Sequence, residues 1–457
     1  MAELITKAPG PAGSFALGVL PALRRDPLRF VVKAARAYGD VVRFRLGPKN
    51  LFLLNHPSLV EHVLLGNAQN YRKSQFYERL KPLFGEGLIV SEGAEWRSQR
   101  SAAAPAFCTE SLKRIAGQCT ELTSQLLDRL EACAAAGTPV DVSVEMMRLT
   151  LGVVLAGLFT TRLNERDGDE LFHAITVVLR AAEHRIWSVN PFVGVVPTAG
   201  NRRYHRALST LDRFVYRIIT EHRVHPERYD DLLSMMMAAR HSETKQPYAD
   251  KQLRDQIVFM ILAGHETTAS ALAWTWYLLS SHPEVARRLS QEHAGQPDGP
   301  PEFEDLAGLP YTQMVFEEAM RLYPPAWTIS RTALEADELG GYAVPKGTSV
   351  MVCPYVVHRD ERFWRNPEAF DPERFKPEAA KARPRFAYFP FSGGPRACIG
   401  SRFAMTEAKI ILAMVSRRFS LHLVPGQAIE VEPMISLRPR HGLFMTPYRT
   451  GPLRQAA

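Results

Sequence analysis

Around position 398 the chain reads Phe389-Pro390-Phe391-Ser392-Gly393-Gly394-Pro395-Arg396-Ala397-Cys398-Ile399-Gly400. Three glycines and two prolines surround one cysteine, directly before an amphipathic stretch. Glycines let a backbone lie close to a bulky planar group and leave N–H groups free to point at a sulfur. A helix starting just after the cysteine puts the positive end of its dipole beside that sulfur and favours thiolate. No other Cys or His stands near it in sequence, so a zinc site with several ligands is unsupported. Two readings stay open: an inert cysteine in a Gly-rich turn, or a single buried thiolate suited to be an axial ligand of haem iron.

Three further groupings could serve the same chemistry or none. Ala263-Gly264-His265-Glu266-Thr267-Thr268 puts an acid and two threonines in a long apolar stretch. Threonines bonding back to their own helix beside a satisfied buried acid would explain it equally well. Glu318-Ala319-Met320-Arg321 places a carboxylate and a guanidinium on one helical face, as a solvated ion pair would. Trp96-Arg97-Ser98-Gln99-Arg100 groups an aromatic and an arginine in the same manner.

Taken together the groupings resemble the cytochrome P450 superfamily. Phe391, Gly394, Arg396, Cys398 and Gly400 match its haem-binding loop, Phe-x-x-Gly-x-Arg-x-Cys-x-Gly. The resemblance implies haem b held by Cys398 as the axial iron ligand, with Phe391 packed near the sulfur and Gly400 closing the loop. Arg396, Trp96, Arg100 and Arg331 would reach the two propionates. Glu318 and Arg321, with Arg374 from Pro372-Glu373-Arg374-Phe375, would form a buried structural triad. In Ala263–Thr268, Gly264 would leave room for dioxygen, Thr267 would hydrogen-bond the oxygen being activated, and Glu266 would pass protons inward. His265 is expected to pack rather than ligate, since Cys398 takes the axial position. The pocket would include Phe76, Leu83, Phe84, Leu88, Ala263, Trp327, Ile329 and Ile435. These are apolar, which suits a hydrophobic ligand. Arg79 and Lys81 are candidate anchors for a substrate carboxylate, beside the simpler reading that both are solvated.

The function so implied is a haem-thiolate monooxygenase using O2. It would act on a C–H or C=C bond of a fatty acid, terpenoid or steroid. Electrons would come from NAD(P)H through a separate ferredoxin or flavodoxin and its reductase, because no flavin domain or iron–sulfur motif follows the cysteine. A peroxide-driven peroxygenase, a non-oxygenating haem-thiolate isomerase or dehydratase, and a haem-based ligand sensor are the alternatives. The acid–alcohol pair Glu266 and Thr267 weighs against the first two, and the lack of a visible signalling domain against the third.

The elements that must hold these residues are mostly helical. Periodicity is helical from about Ser58 to Tyr323. The longest candidate runs from about Asp250 to Ser281, ends at Pro283, and is apolar nearly all round, so it should cross the interior. A second helix follows the cysteine, from about Ser401 to Phe419. Val41–Leu46 and Leu51–Leu54 flank a Gly47-Pro48-Lys49-Asn50 turn, a hairpin signal. Tyr342–Val344 and Thr348–Val352 read as short strands. The expected fold is mainly α with small β-sheets (α+β): one domain over residues 1–457, with a Pro/Gly-rich arm at 1–20. The haem is expected between the long helix and the cysteine-loop helix.

Composition agrees: 46% hydrophobic and 23% charged residues over 457 exclude wholesale disorder and fibrous repeats. Five cysteines are too few and irregular for a disulfide framework, so a reducing cytoplasm is expected. The N-terminus lacks the roughly 20 apolar residues of a spanning helix, and a monomer without a transmembrane segment is expected. Net charge is +8. From Lys381 onward there are 12 Lys and Arg against 3 Glu, a net of +9. No like-charge run suggests a nucleic-acid tail. Arg402, Lys409, Arg417 and Arg418 on the helix after the cysteine suggest a docking face for an acidic electron carrier.

Overall fold

The computed structural model describes residues 7–188, 194, 196, 198–296 and 299–450. The longer helices are α1 (Leu20–Arg25), α2 (Pro27–Tyr38), α3 (Gly93–Ala103), α4 (Thr109–Ala136), α5 (Val142–Phe159) and α6 (Glu165–Trp187). They continue as α7 (Ala199–Val224), α8 (Asp250–Ser281), α9 (Pro283–Ala294), α10 (Pro310–Leu322) and α11 (Ser401–Arg418). The α8 limits agree with those read from the sequence. Pro283 does more than stop α8, since it is the first residue of α9, where its missing N–H costs nothing.

Helix α8 crosses the interior because it has almost no polar face, and it packs on α5, α7 and α10. Helices α5 and α8 are long and apolar enough to cross a membrane, but 72% and 78% of those stretches are buried within the fold. Their hydrophobicity is that of core helices. Helix α11 lies against α4, α9 and α10 and touches α8, so the segment behind the cysteine is braced on several sides.

Strands β1 (Val41–Leu46), β2 (Lys49–Leu54), β3 (Tyr71–Lys73), β4 (Ile329–Ala333) and β5 (Ser349–Val352) form one sheet in the order β1-β2-β5-β4-β3. Only β2 and β5 run parallel. The first hairpin is tighter than expected: Leu46 pairs with Lys49, leaving Gly47 and Pro48 as the turn, with Gly47 at φ +60°. A two-residue turn demands positive φ, which Gly47 supplies without strain. The hairpin β6 (Val431–Pro433) and β7 (Leu437–Pro439) reaches back towards α8. Val140–Asp141, Phe419–Leu423 and Phe444–Arg449 make a three-stranded sheet, and Asp337–Leu339 pairs with Tyr342–Val344.

Apolar side chains separate into one large helical core and two smaller ones. One small core lies between the sheet and the approach to the cysteine loop, with Leu64, Ile329, Phe386 and Phe389. The other joins the N-terminal helices to β1 and β2 through Val19, Leu23, Val31, Phe44 and Trp327.

Candidate active site

The cysteine loop is closed by the Cys398 amide donating to the Phe391 carbonyl at 2.9 Å. Ser392 and Gly394 take positive φ, +62° and +66°. A Cβ at Gly394 would lie 1.8 Å from the Leu64 carbonyl oxygen, and one at Gly393 2.4 Å from the Phe386 ring. Both glycines are therefore required for the loop to lie against its own protein. Gly400 caps the start of α11, and its N–H is directed at the Cys398 sulfur.

Burial pushes the Cys398 thiol upward, while the Gly400 N–H and the Arg100 guanidinium oppose that rise. Its side chain is accessible although protein surrounds it, so the sulfur faces an internal space. Cys353 shows the contrast: fully buried, it is pushed up to about 12. Cys119 is likewise buried and driven well above its ordinary value.

Beside this loop, cations outnumber anions. The Arg396 guanidinium pairs with Glu92, donates to the Ser91 carbonyl at 3.3 Å, and lies 4.2 Å over the Trp96 ring. Lys73 Nζ donates to the carbonyls of Leu88 (2.6 Å) and Ser91 (3.1 Å). Burial first, then Arg396, depress Lys73 to about 6, with Glu92 opposing. Strand pairing sets Lys73 directly opposite Arg331, which is itself buried. Burial and the facing arginines disfavour the Lys73 charge, and an anion joining them would restore it. Among the described residues one carboxylate, Glu92, acts on Lys73 and Arg396, and Trp96, Arg331 and Arg396 line a cleft of about 440 Å³. This donor set fits an iron porphyrin: a sulfur for the metal and a cation-rich cradle for two carboxylates. Lys73 and Glu92 escaped sequence reading because nothing local marks them, and register alone brings Lys73 to Arg331.

On α8, Ala263, Gly264 and Thr267 are partly accessible, whereas His265, Glu266 and Thr268 are buried. Thr267 Oγ1 donates to the Ala263 carbonyl at 2.8 Å, and Thr268 Oγ1 to that of Gly264 at 3.2 Å. The hydroxyl of Thr267 therefore keeps its lone pairs for an incoming donor. Glu266 Oε1 accepts from Ser436 Oγ at 2.7 Å, a residue the sequence did not single out. Burial raises the Glu266 pKa, opposed by Ser436 and by Arg438 of β7. His265 Nδ1 bonds the Ile261 carbonyl at 2.9 Å within the core, and burial lowers it to about 4.

Gly264 has a packing reason of its own. A Cβ there would stand 2.8 Å from Val154 Cγ2 on α5, so glycine is what lets α5 and α8 approach. Gly264→Ala should cost about 1–3 kcal/mol by overpacking. The companion change Val154→Ala should recover part of the lost melting temperature. An unchanged melting temperature in the single variant would remove this explanation.

Glu318 and Arg321 are wholly buried and bidentate, Nε to Oε2 at 2.6 Å and Nη2 to Oε1 at 2.8 Å. Arg374 Nε lies 3.3 Å from Glu318 Oε1. Arg321 also donates to the carbonyls of His358 (2.8 Å), Pro367 (2.6 Å) and Ala369 (3.0 Å). A local pair on α10 thus ties down the irregular segment 358–371 that leads to the cysteine loop.

The expected pocket residues divide between buried and partly accessible positions. Trp327 is in the N-terminal core and donates to the Met434 carbonyl at 2.9 Å. Ile329 packs under the sheet, while Leu83, Phe84 and Leu88 are buried in the helical core. Phe76, Ala263 and Ile435 are only partly buried and remain available to a ligand. Arg79 donates to the carbonyls of Arg185, Ile186 and Ser188, closing the end of α6. Lys81 is paired with Glu78 and Glu86. Lys81 is therefore neutralised, whereas Arg79 has no carboxylate partner among the described residues.

The basic surface behind the cysteine is also thinner than its sequence suggests. Lys409 turns inward to the Leu306 carbonyl at 2.9 Å, Arg417 donates to that of Gly299, and Arg418 lies 3.8 Å from Glu131. Arg402, at the start of α11, is exposed without an ion pair among the described residues and donates to the Thr109 hydroxyl at 3.2 Å; Arg418 is exposed as well. Arg454, counted in the C-terminal surplus, lies outside the described residues. Glu407 on α11 was missed as well: it is fully buried, and burial holds it protonated, well above its ordinary value. Its oxygens have no partner among the described residues, the nearby Thr268 hydroxyl being committed to Gly264.

A helical fold with an accessible cysteine beside the Arg100 guanidinium, and an acid and an alcohol set within the unbroken apolar helix α8, fits a haem-thiolate protein. A sequence model of the cytochrome P450 family matches residues 8–448, and the chain belongs to that family. It is similar to cyclooctatin synthase of Streptomyces melanosporofaciens, 38% identical over 418 residues, covering 91% of this chain and 90% of the relative. Cyclooctat-9-en-7-ol 5-monooxygenase from the same organism is 37% identical, covering 90% and 89%. Pentalenene oxygenase of Streptomyces avermitilis is 32% identical, covering 91% and 90%. The protein is a cytochrome P450 monooxygenase, an oxidoreductase that uses haem iron and O2 on a hydrophobic substrate.

Proposed function

We propose that this chain hydroxylates a terpenoid hydrocarbon or terpenol, with Cys398, Thr267 and Glu266 carrying the chemistry. The observation that favours a terpenoid over a fatty acid is that the pocket candidates still open to a ligand, Phe76, Ala263 and Ile435, are apolar, while Lys81 is held by Glu78 and Glu86. Two relatives named for acting on cyclooctat-9-en-7-ol and pentalenene support the same choice.

Bound haem iron supplies oxygen activation, drawing two electrons from outside. Cys398 would hold the metal, and Lys73, Arg331, Arg396, Trp96 and Arg100 would hold the carboxylates. Thr267 presents hydroxyl lone pairs to the site because its proton is spent on Ala263. Glu266, its carboxyl pushed upward by burial and steadied by Ser436, is placed to pass a proton inward from the Arg438 side. Electrons would arrive from NAD(P)H by way of a ferredoxin or flavodoxin and its reductase, docking near Arg402 and the start of α11. A cytoplasmic monomer suits such a carrier.

Thr267→Ala should bind haem normally and consume electrons at a near-normal rate while product per electron falls by about tenfold or more, within the range of a lost acid–base contact. NADPH consumption measured against product decides it, and unchanged coupling would remove Thr267 from the chemistry. A spectral-shift titration with terpenes, fatty acids and steroids tests the substrate class: tightest binding of fatty acids would overturn it. Turnover with an electron-transfer system compared with peroxide alone tests the electron source.

A further inference from the structure

The net charge of +8 has a second source that the C-terminal surplus conceals. Residues 7–50 hold nine Lys and Arg against two Asp. Both acids are engaged: Asp26 caps α2 by accepting the Arg29 amide at 3.1 Å, and Asp40 pairs with Arg362 at 2.7 Å. The cations are not. Among the described residues Arg24, Arg25, Arg29, Lys33 and Arg36 make no ion pair, and Arg45 and Lys49 bond only neutral oxygens. C-terminal cations behave differently, since Arg396, Arg438, Arg440 and Arg449 are each paired with a carboxylate. On α2, Arg29, Lys33 and Arg36 are exposed at helical spacing, opposite the buried Leu28, Val31 and Ala34.

The same region exposes its most accessible large apolar side chains. Phe15 is 99% exposed and Leu17 44%, with Ala16 between them and Pro21 and Ala22 exposed just beyond. They are not on a loose strand. Ser14 and Gly18 exchange both backbone hydrogen bonds at 2.9 Å, closing a tight turn with Phe15 to Leu17 at its tip. The Val19 amide donates to the Arg45 carbonyl at 2.8 Å, and the Gly47 amide to that of Leu17 at 3.2 Å. Gly18 lies so close to β1 that a Cβ would meet the Arg45 oxygen at 1.9 Å. The turn is pinned to the β1–β2 hairpin and carries an aromatic ring outward that no described residue covers.

We propose that this N-terminal face docks on the surface of an anionic phospholipid bilayer, with Phe15 and Leu17 inserted at the headgroup boundary and the unpaired cations meeting lipid phosphates. Apolar side chains with flanking Lys and Arg are what interfacial binding requires, whereas a spanning segment is not. Cations near an anionic membrane each add attraction that falls away within a Debye length. A peripheral position would bring the enzyme to where hydrophobic substrates concentrate.

The full-length haem-loaded protein is sedimented with vesicles of phosphatidylglycerol and phosphatidylcholine, and with phosphatidylcholine alone. The proposal expects binding to the anionic vesicles, reversed by high salt. Phe15→Ser should weaken it about tenfold, as expected for one buried aromatic ring. Arg24→Glu with Arg25→Glu should weaken it by more than about tenfold. Phe15→Trp should keep binding and show blue-shifted emission with anionic vesicles only. These residues lie outside the haem site, so every variant should keep the wild-type haem spectrum. Failure of the wild type to bind anionic vesicles, binding indifferent to Phe15→Ser, a preference for oligonucleotides, or a dimer that dissociates on Phe15→Ser would each overturn it.

Discussion

Cys398→Ala is expected to abolish the strongly red-shifted Soret band that the reduced protein shows under carbon monoxide. Two of the other sulfurs cannot take over. Cys119 and Cys353 are sealed in cores, where burial keeps their thiols protonated. Cys398 has an accessible side chain, a backbone N–H aimed at its sulfur, and a guanidinium that favours thiolate. A thiolate is the form that binds metal, so these contacts matter more than the loop's general shape. Since the Cys398 amide, and not its side chain, closes the loop on Phe391, the variant should still fold. Its melting temperature should therefore change far less than its spectrum. Survival of the band would sink the ligand assignment.

Arg321→Ala is the second change with a large effect, and here the loss is of structure. It would leave Glu318 buried with only the partly exposed Arg374 beside it, and three carbonyls without their donor. Breaking one side of a buried ion pair costs about 3–5 kcal/mol, against a total stability of about 5–15 kcal/mol. The variant should be recovered largely without haem, or as insoluble protein, because the segment 358–371 loses its tie to α10. Arg321→Lys should rescue little, since one ammonium cannot supply the parallel donors of a guanidinium. Arg374→Ala should cost distinctly less, its side chain being nearer solvent. Denaturant unfolding of the three variants gives the order, and wild-type stability in Arg321→Ala would remove the tie.

Much of the site was legible because its motifs are local. Cys398 and its glycines, Glu266 beside Thr267, and Glu318 three residues before Arg321 each lie within one turn or loop. Helix α8 was legible to its end residues, as an apolar stretch bounded by Pro283 is recognisable without its neighbours. The surroundings of the two candidate carboxylate anchors were not legible, for the opposite reason. What Arg79 bonds depends on where α6 ends, more than one hundred residues later. Those of Lys409 were illegible likewise, since its partner, the Leu306 carbonyl, is remote in sequence.

The amino-acid order alone thus settled the helical class and supplied the proposed cysteine ligand and acid–alcohol pair, each written in neighbouring residues whose spacing carries the proposed chemistry. Tertiary structure decided what depends on distant segments meeting. Strand register set Lys73 against Arg331, helix approach demanded Gly264 beside Val154, and the β6–β7 hairpin brought Ser436 to Glu266. It also divided the positive charge into a C-terminal part neutralised in places by carboxylates and an N-terminal part whose helix cations have no such partner among the described residues. Charge pairing is a property of space rather than of sequence, and a sum over residues cannot see it.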